Sequence, residues 1–480
     1  MLNSVCSVFA KLAVLHMFVV TATAAGCGSG GSGPAIPATP IITSFTASPA
    51  TISAGATAAL VAVFSGGTGV ISPGNLAATS GTAVAVAPAA TTTYILTVRD
   101  AAGTSATAMV TVTVSTSANS SLPFQPSNIT LDSITALAAQ AQDEDVEGNC
   151  EIQTIGGVLG ADLDSPITTT TEAFGAGQTQ TVALIVVNSL KLGTNGQIVV
   201  QGDLPLVIVS LGDITLGTGS SILANSSLSN DFVGPGGAES QDNSGNGLGL
   251  GGGHAGNDDN YVGGGGGSFC GLGGPGGGAT AQTAGYGSND IRPLQGGSSG
   301  GYTSGGSGPG GGAIQLVAMG TLTINTNAYI SAGGAGSTSC LGDGCSGGGS
   351  GGAILLEAMT VNIAGIVAAN GGGGGSGAAV GSDGLPISVG EAPTAAPGGA
   401  AAAGSAAAGG NGSAGPTTAG GGGGAGSIAK NVAAGGGGGG AGWIRINSAS
   451  GKAVISGTLS PDKTTTCAGE GTVRTPAEGP

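Results

Sequence analysis

One apolar phrase recurs along this chain. GGAIQLVAMGTLTI at 311–324 is followed by GGAILLEAMTVNI at 351–363, and LVIVSLGDITL at 206–216 and IRINSASGKAVI at 444–455 align with both. Alternate residues within each copy are apolar, which is the side-chain period of a β-strand. One copy cannot bury its apolar side alone, so the copies are expected to stack in parallel with like residues over like. The repeats therefore predict a parallel β-solenoid.

The alignment also predicts which residues share a column of the ladder. The inward columns are Leu206, Ile314, Ile354 and Ile444, and Ile208, Leu316, Leu356 and Ile446. Between them lie Val207, Gln315, Leu355 and Arg445, a mixed set expected on the outer face. Each copy then reaches a further apolar residue, at Ile222, Ile330, Ile366 and Leu459.

Glycine-rich insertions separate the copies, at 227–312, 333–352 and 370–442. Glycine accounts for 103 of the 480 residues, and it loses more backbone entropy on folding than any other residue. The few large apolar side chains of 370–442 cannot offset the entropy of ordering that segment. Disorder or loose packing is therefore expected. Packing of polyproline-II-like glycine helices into a flat plate, as in some phage adhesins, is the alternative.

Residues 40–116 differ from the rest in having short alternating strands between Gly, Pro and Ser turns. In TTTYILTVRD, the side chains of Tyr94, Leu96 and Val98 fall on one face. The pattern predicts an antiparallel β-sandwich. The segment resembles the Ig-like and PKD-like modules of bacterial surface proteins, which implies a spacer. It lacks the cysteine pair and core tryptophan of antibody domains.

Residues 117–150 are expected to form a transition and a solenoid cap. SITALAAQAQ has apolar residues at helical spacing behind Asp132, a candidate N-cap. The acidic run DEDVE at 143–147 is expected to be a solvated turn. The solenoid is expected to span 151–465, followed by a tail at 466–480.

The first residues, 1–26, have the features of an export signal. Lys11 is followed by an apolar run at 12–20 and by small residues. A segment this short indicates a signal peptide rather than a membrane-spanning helix.

AAGC, which ends at Cys27, resembles the lipobox of bacterial lipoproteins, although Ala24 stands where leucine is usual. The resemblance implies lipidation of Cys27, with ordinary cleavage as the alternative. A flexible tether follows at 27–39. The protein is thus expected to be exported and lipid-anchored at the bacterial outer membrane or cell surface, with the lipid as its contact with the membrane.

Cysteines in an exported chain are disulfide candidates first. In CLGDGC, Cys340 and Cys345 close a small loop and are the expected pair. Pairing among the remaining cysteines stays open, with one left over.

The formal net charge is −16, and the nine lysines and arginines are scattered along the sequence. Nucleic acid is therefore excluded as an expected partner. No cofactor is expected, with calcium as the one alternative left open.

A search for catalytic chemistry finds no expected catalytic residue. His254 is the one histidine after the signal, and no nucleophile motif accompanies it. In the ladder alignment, Glu357 is the one carboxylate of its column, and it is expected to form a surface ion pair with Arg445.

The first insertion is richer in aromatic and acidic residues than the others, and long loops on a rigid scaffold commonly bind ligands. Its candidate ligand contacts are Tyr261, Phe269, Tyr286, Tyr302, Asp258 and Asp259. The alternative is that the aromatic residues only pin the loop to the solenoid.

The repeats, with their GGAI-L-A phrases, resemble the glycine-rich, exported β-helix proteins of Gram-negative bacteria. The resemblance implies an all-β fold and an envelope location. The expected function is that of a non-enzymatic surface protein, structural or adhesion-type, whose glycine-rich loops contact polysaccharide or other matrix components. The alternative is a carbohydrate-active β-helix enzyme, a polysaccharide lyase or hydrolase.

Overall fold

The computed structural model describes residues 39–53, 57–88, 91–115, 122–155, 158–174, 178–227, 232–240, 245–279, 281–340, 344–377, 381–383, 394–403, 405–427 and 430–475. Their contacts divide them into two units, 39–115 and 122–475. The expected signal peptide, Cys27 and all but the last residue of the tether lie outside the described residues. The protein is predominantly β, as the sequence predicts.

The first unit has two sheets around one core. Its strands are β1 (Ile41–Ser48), β2 (Thr51–Ser53), β3 (Ala58–Ser65), β4 (Thr68–Ser72), β5 (Leu76–Ala78), β6 (Ala83–Val86), β7 (Thr92–Arg99) and β8 (Ser105–Ser115). One sheet has the order β1-β3-β6 and the other β2-β8-β7-β4-β5. Tyr94, Leu96 and Val98 all point from β7 into this core, as predicted, where they meet Leu60 of β3.

The second unit contains the repeats. Its strands are β9 (Asp143–Val146), β10 (Asn149–Ile155), β11 (Val158–Ala161), β12 (Ile167–Ala173), β13 (Thr179–Val187), β14 (Ser189–Leu192), β15 (Gln197–Gln201), β16 (Leu206–Ser210), β17 (Ile214–Leu216), β18 (Ser221–Leu223), β19 (Ala313–Ile324), β20 (Tyr329–Ser331), β21 (Ala353–Ile363), β22 (Ile366–Ala368), β23 (Trp443–Ser448), β24 (Val454–Ile455), β25 (Thr458–Ser460) and β26 (Ala468–Thr472). Its helices are α1 (Leu131–Ala138) and a 3-10 turn, Asp258–Asn260.

Three parallel ladders run through the described part of the second unit. One of them is β9-β14-β17-β19-β21-β24, in which the long strands β19 and β21 also take part. The long ladder is β13-β16-β19-β21-β23-β26, and the short ladder is β10-β15-β18-β20-β22-β25. The ladders share one apolar core, in which Ile198 and Ile222 of the short ladder join Ile208 and Leu316 of the long one. Stacking of aligned strands thus buries the apolar side that one repeat alone leaves exposed.

The register of the long ladder is the one predicted from the sequence. Ile208, Leu316, Leu356 and Ile446 pair successively, and all are buried. In the short ladder the alignment is wrong by one residue, because Val367 rather than Ile366 pairs with Ile330. The turn between β21 and β22 puts Ile366 beside Tyr329, on the other face of the strand.

The outer side of the long ladder is covered, not solvated. Val207, Gln315 and Leu355 point outward as predicted, yet all three are fully buried. Segment 122–142 and residues of the first insertion pack over them, so that an outer face becomes a second apolar core.

The ends of the ladders differ from the sequence-based expectations. α1 is present, but Thr130 caps it by accepting a hydrogen bond from the Ser133 amide, while Asp132 lies in the first turn. Residues of the acidic run form β9 rather than a turn, because β9 pairs with β14. The expected tail contributes β26, which pairs with β23 and extends the long ladder.

Candidate functional site

The described parts of the glycine-rich insertions are ordered, contrary to the expectation of disorder and in line with the alternative of packed glycine helices. Their extended chains pack side by side beyond the amino-terminal ends of β19, β21 and β23 and are joined by backbone hydrogen bonds. We call the set of chains at 263–267, 271–278, 345–351, 371–375, 394–400, 405–412, 418–425 and 434–441 the glycine array. Its inner glycines are buried.

The glycine run at 435–440 shows why the array needs glycine. Its backbone amides donate to carbonyl oxygens on three neighbouring chains, taking each chain in turn. The donor and acceptor pairs, at 2.8–3.0 Å, are Gly435 to Gly424, Gly436 to Gly375, Gly437 to Gly264, Gly438 to Gly421, Gly439 to Gly372 and Gly440 to Gly267. The repeat of three residues is that of polyproline II. Each neighbour therefore receives an amide from every third residue.

The side-chain positions of the same run point at three further chains. A Cβ would lie under 3.0 Å from a carbonyl oxygen of Ala408, Ser346, Gly274, Asn411, Gly349 or Gly271 for Gly435 to Gly440 in turn. The run is thus surrounded by six chains, and any side chain would enter an occupied neighbour. Backbone hydrogen bonds rather than apolar side chains hold this layer together.

One layer of the array faces away from the interior. Backbone hydrogen bonds place its four chains in the order 271–278, 418–425, 405–412 and 394–400, with Gly420 donating to Leu272 and Gly421 to Asn411. Every third residue points outward: Leu272, Pro275 and Gly278; Ala419, Gly422 and Ala425; Ala408 and Asn411; Pro397 and Ala400. We call this set the outward face. The spacing in LGGPGGG at 272–278 is the sequence signal that could have revealed it.

The six predicted contact residues do not converge on one site. Phe269 is 2% exposed and stacks on Tyr286 with ring centroids 4.5 Å apart, while the Trp443 indole donates to the Tyr286 carbonyl. Burial raises the pKa of the Tyr286 hydroxyl. These aromatic side chains pin the first insertion to the long ladder, which was the alternative interpretation.

The other four lie elsewhere in the first insertion. Tyr261 donates to the Asn431 amide oxygen at 2.8 Å, Asp258 accepts from the Gly344 amide, and Asp259 is exposed. Tyr302 is half-buried, and its carbonyl accepts from the Gly256 amide. Among the described residues, no three or more His, Cys, Asp or Glu side chains are grouped to hold a metal ion.

Two disulfides fasten the array. Cys340 and Cys345 form the expected pair, with Cα atoms 5.0 Å apart. Cys270 pairs with Cys467, which the sequence did not predict because 197 residues separate them. The second bond ties the first insertion to the residue before β26.

A buried carboxylate also joins two chains of the insertions. Asp383 accepts hydrogen bonds at 2.9 Å from the Gly336 amide and from the Ser227 hydroxyl. Burial raises the pKa of Asp383, and the two hydrogen bonds lower it in part.

The stability of the protein should therefore depend on the protonation of Asp383. Because its pKa is higher in the folded than in the unfolded chain, the stabilisation is present at low pH and is lost as pH rises through the folded-state pKa. We expect the Tm of Asp383→Asn to rise relative to that of the parent chain as the pH increases above about 4, the ordinary pKa of an aspartate. Thermal unfolding tests this, with the exposed Asp259→Asn as control, and a Tm difference independent of pH would contradict it.

A cleft of about 320 Å³ lies where the short ladder meets the first insertion. It is lined by Gln153, Ile155, Gln201, Gly202, Asp203, Phe232, Val233, Gly237 and Glu239. Carboxylates, amides and an aromatic ring in one concave surface suit a small hydroxyl-rich ligand. No local pattern in the sequence indicates the cleft, because the residues that line it are distant from one another in the chain.

A polar cluster lies on the covered side of the long ladder, where the sequence predicted a surface ion pair. Glu357 is fully buried and accepts from Ser127, Gln315 and Asn447 rather than from Arg445. Arg445 instead donates to Asn447 and lies 4.0 Å from Asp290. The expected ion pair is therefore wrong, because segment 122–130 covers Glu357 and supplies Ser127.

Arg292 lies close enough to this carboxylate, and to Asp290 and Arg474, for their charges to act on it. Burial and the neighbouring Arg474 guanidinium lower the pKa of Arg292, and the charges of Asp290 and Glu357 raise it. The Arg292 guanidinium also lies over the Phe174 ring, 5.5 Å from its centre. The arginines thus cluster in space although they are scattered in sequence.

Comparison of the chain with protein-family models, with curated proteins and with solved structures gave no match. Within the part of the chain that the structure describes, no helix is both long and apolar enough to cross a membrane.

Proposed function

We propose that this protein is a non-enzymatic surface protein of the cell envelope, structural or of the adhesion type, whose outward face contacts a polysaccharide. The first unit would act as an Ig-like spacer, and the three ladders would form a β-solenoid that carries the array. Lipidation at Cys27 would hold the exported protein at the bacterial outer membrane or cell surface.

The observation that carries the proposal is the regular outward face. Because the backbone amides of its four chains bond to one another, the face presents mainly small apolar side chains such as Ala419, Ala425 and Pro275. Three residues of polyproline II rise about 9 Å, so the side chains recur at that interval along each chain. A surface already rigid loses little entropy on binding, which favours contact with a flat, packed ligand such as an insoluble polysaccharide.

Charged side chains on this face should abolish such contact. We expect Ala419→Arg with Ala425→Arg to reduce retention of the full chain on insoluble cellulose or chitin by on the order of tenfold, because two long cations would hold the surfaces apart. Ala449→Arg is the matched control, since Ala449 is equally exposed but follows the opposite end of β23. Failure of the parent chain to bind any insoluble polysaccharide would refute the proposal.

The same assay examines the enzymatic alternative, which the cleft favours. Asp203 and Glu239 are two carboxylates on one concave surface, and polysaccharide hydrolysis commonly uses such a pair. Release of shortened chains by the parent protein, lost in Asp203→Asn, would replace the non-enzymatic proposal with a carbohydrate-active enzyme.

A further inference from the structure

The cleft between the short ladder and the first insertion is open to solvent and has a fixed shape. Its volume, about 320 Å³, is at the low end for ligand pockets, which suits a single small molecule. Backbone hydrogen bonds tie its two sides together. The Gly202 amide donates to the Val233 carbonyl at 3.0 Å, and the Gly236 amide donates to the Gly202 carbonyl at 2.8 Å. The site is therefore formed before any ligand enters.

The charged groups that line the cleft are acidic. Asp203 follows β15, Glu239 belongs to the first insertion, and both are exposed. Among the described residues that line the cleft, none is a lysine, an arginine or a histidine. A concave surface lined by charges of one sign focuses their field, and the net charge of the whole chain, −16, has the same sign. The cleft therefore favours a cation.

The two glutamines of the cleft are oriented by a third carboxylate. Gln153 and Gln201 are paired neighbours in the short ladder, and each donates a side-chain N–H to Glu151 Oε1. One donor of each amide is thus used within the protein, while the amide oxygens add acceptors to those of the two carboxylates. A ligand rich in N–H and O–H donors matches such a lining.

The cleft also has an apolar side. Ile155 is 43% exposed, and the Phe232 side chain is half-buried. The backbone of Phe232 is held by Ser227, since each residue donates its amide to the carbonyl of the other. An aromatic ring packs against the C–H groups of a sugar ring and attracts a nearby cation. A ring that bears both hydroxyl groups and a positive charge therefore fits the whole lining.

We propose that this cleft binds a protonated amino sugar. The ammonium group binds the carboxylates of Asp203 and Glu239. The sugar ring packs on Phe232, and its hydroxyl groups donate to the amide oxygens of Gln153 and Gln201. A neutral sugar lacks the charge, and a linear polyamine lacks the ring and its hydroxyl groups. This inference goes beyond the proposed function, because the cleft shares no residue with the outward face.

The test is calorimetric titration of the full chain with glucosamine, glucose, N-acetylglucosamine and putrescine. Glucosamine should bind, and each of the other three probes should bind at least about tenfold more weakly, because it lacks either the charge or the ring. None of the four probes contains a glycosidic bond, so binding is measured separately from any hydrolysis. Absence of glucosamine binding, or equal affinity for any of the other three probes, would overturn the inference.

Glu239→Gln gives a result that loss of folding cannot imitate. The affinity for glucosamine should fall by on the order of tenfold while that for glucose stays the same, because only a charge-assisted contact is removed. Phe232→Ala should instead weaken the binding of both sugars. Asp259→Asn is the matched control, since Asp259 is an exposed carboxylate of the same insertion that does not line the cleft.

The ratio of the two affinities decides the outcome. A parent-like ratio in Glu239→Gln, or an equal change of the ratio in Asp259→Asn, would contradict the inference. Retention on insoluble polysaccharide should be unchanged in Glu239→Gln, so this inference and the proposed function fail separately.

Discussion

Gly438→Ala is expected to lower the free energy of unfolding of the glycine array by about 3 kcal/mol. The new methyl group would lie under 3.0 Å from the carbonyl oxygen of Asn411, and the surrounding chains are fixed by their own hydrogen bonds. Amide hydrogen exchange of the full chain measures this local stability directly. Protection should fall across the neighbouring chains as well as at residue 438, because the hydrogen bonds are shared.

Gly422→Ala is the matched control, since it makes the same chemical change one chain away. Its Cβ would lie 3.5 Å from Pro275 Cγ, an ordinary contact, and would point outward. Alanine also restricts the unfolded chain, so this variant should be unchanged or up to about 1 kcal/mol more stable. Equal effects at Gly422 and Gly438 would contradict the six-neighbour packing.

Gly437→Ala and Gly439→Ala extend this test to the two other directions. Their side chains would point at Gly274 and Gly349, so both should be as destabilising as Gly438→Ala. A sheet-like layer would leave one of the three directions open and would tolerate one of the three substitutions. Finding such a tolerant position would therefore exclude the packing described here.

The ladders could be predicted because their signal is local and repeated. Alternating apolar residues in four copies predict the pairing of Ile208, Leu316, Leu356 and Ile446 that the structure has. The bounds of the insertions followed from the same alignment. The one-residue error at Ile366 shows the limit of such an alignment. A turn that is one residue longer or shorter moves every side chain of the following strand to the opposite face of the sheet.

Packed glycine helices were the alternative rather than the favoured prediction for the insertions, because apolar side chains are too few there to offset the entropy of ordering. In the run at 435–440 the stabilising groups are backbone amides, and their partners lie on chains that are distant in sequence. A continuous glycine run has no visible period, so its three-residue repeat cannot be read from the residues themselves. The three-residue repeat can be recognised only in chains at the edge of the array, such as the one in which Leu272 and Pro275 are three residues apart.

The polar cluster had even less signal. Glu357 and Arg445 are placed correctly by the ladder alignment, yet nothing local indicates that Ser127 reaches Glu357 from 230 residues away. The sequence therefore predicted where the carboxylate lies but not that it is buried. The arginines meet for the same reason, since insertions bring Arg292 to a face defined by other strands.

Removing the buried carboxylate should strongly destabilise the second unit. Glu357→Leu is expected to cost about 3–5 kcal/mol, because the donors of Ser127, Gln315 and Asn447 lose their acceptor in a site closed to water. Chemical denaturation of the full chain measures the loss, and hydrogen exchange at the Ser127 amide locates it. Release of segment 122–130 from the ladder should accompany the change.

Glu357→Gln separates the role of the carboxylate from that of side-chain volume. The glutamine amide keeps one oxygen that accepts hydrogen bonds, but its NH₂ group would face two donors that now bond to the second carboxylate oxygen. We therefore expect a smaller loss of unfolding free energy, about 1–3 kcal/mol. Met359→Ala, on the same strand and 38% exposed, is the control and should cost less than either. A cost for Glu357→Leu no greater than that for Met359→Ala would mean that water or neighbouring side chains replace the lost acceptor, and would contradict the burial of this polar cluster.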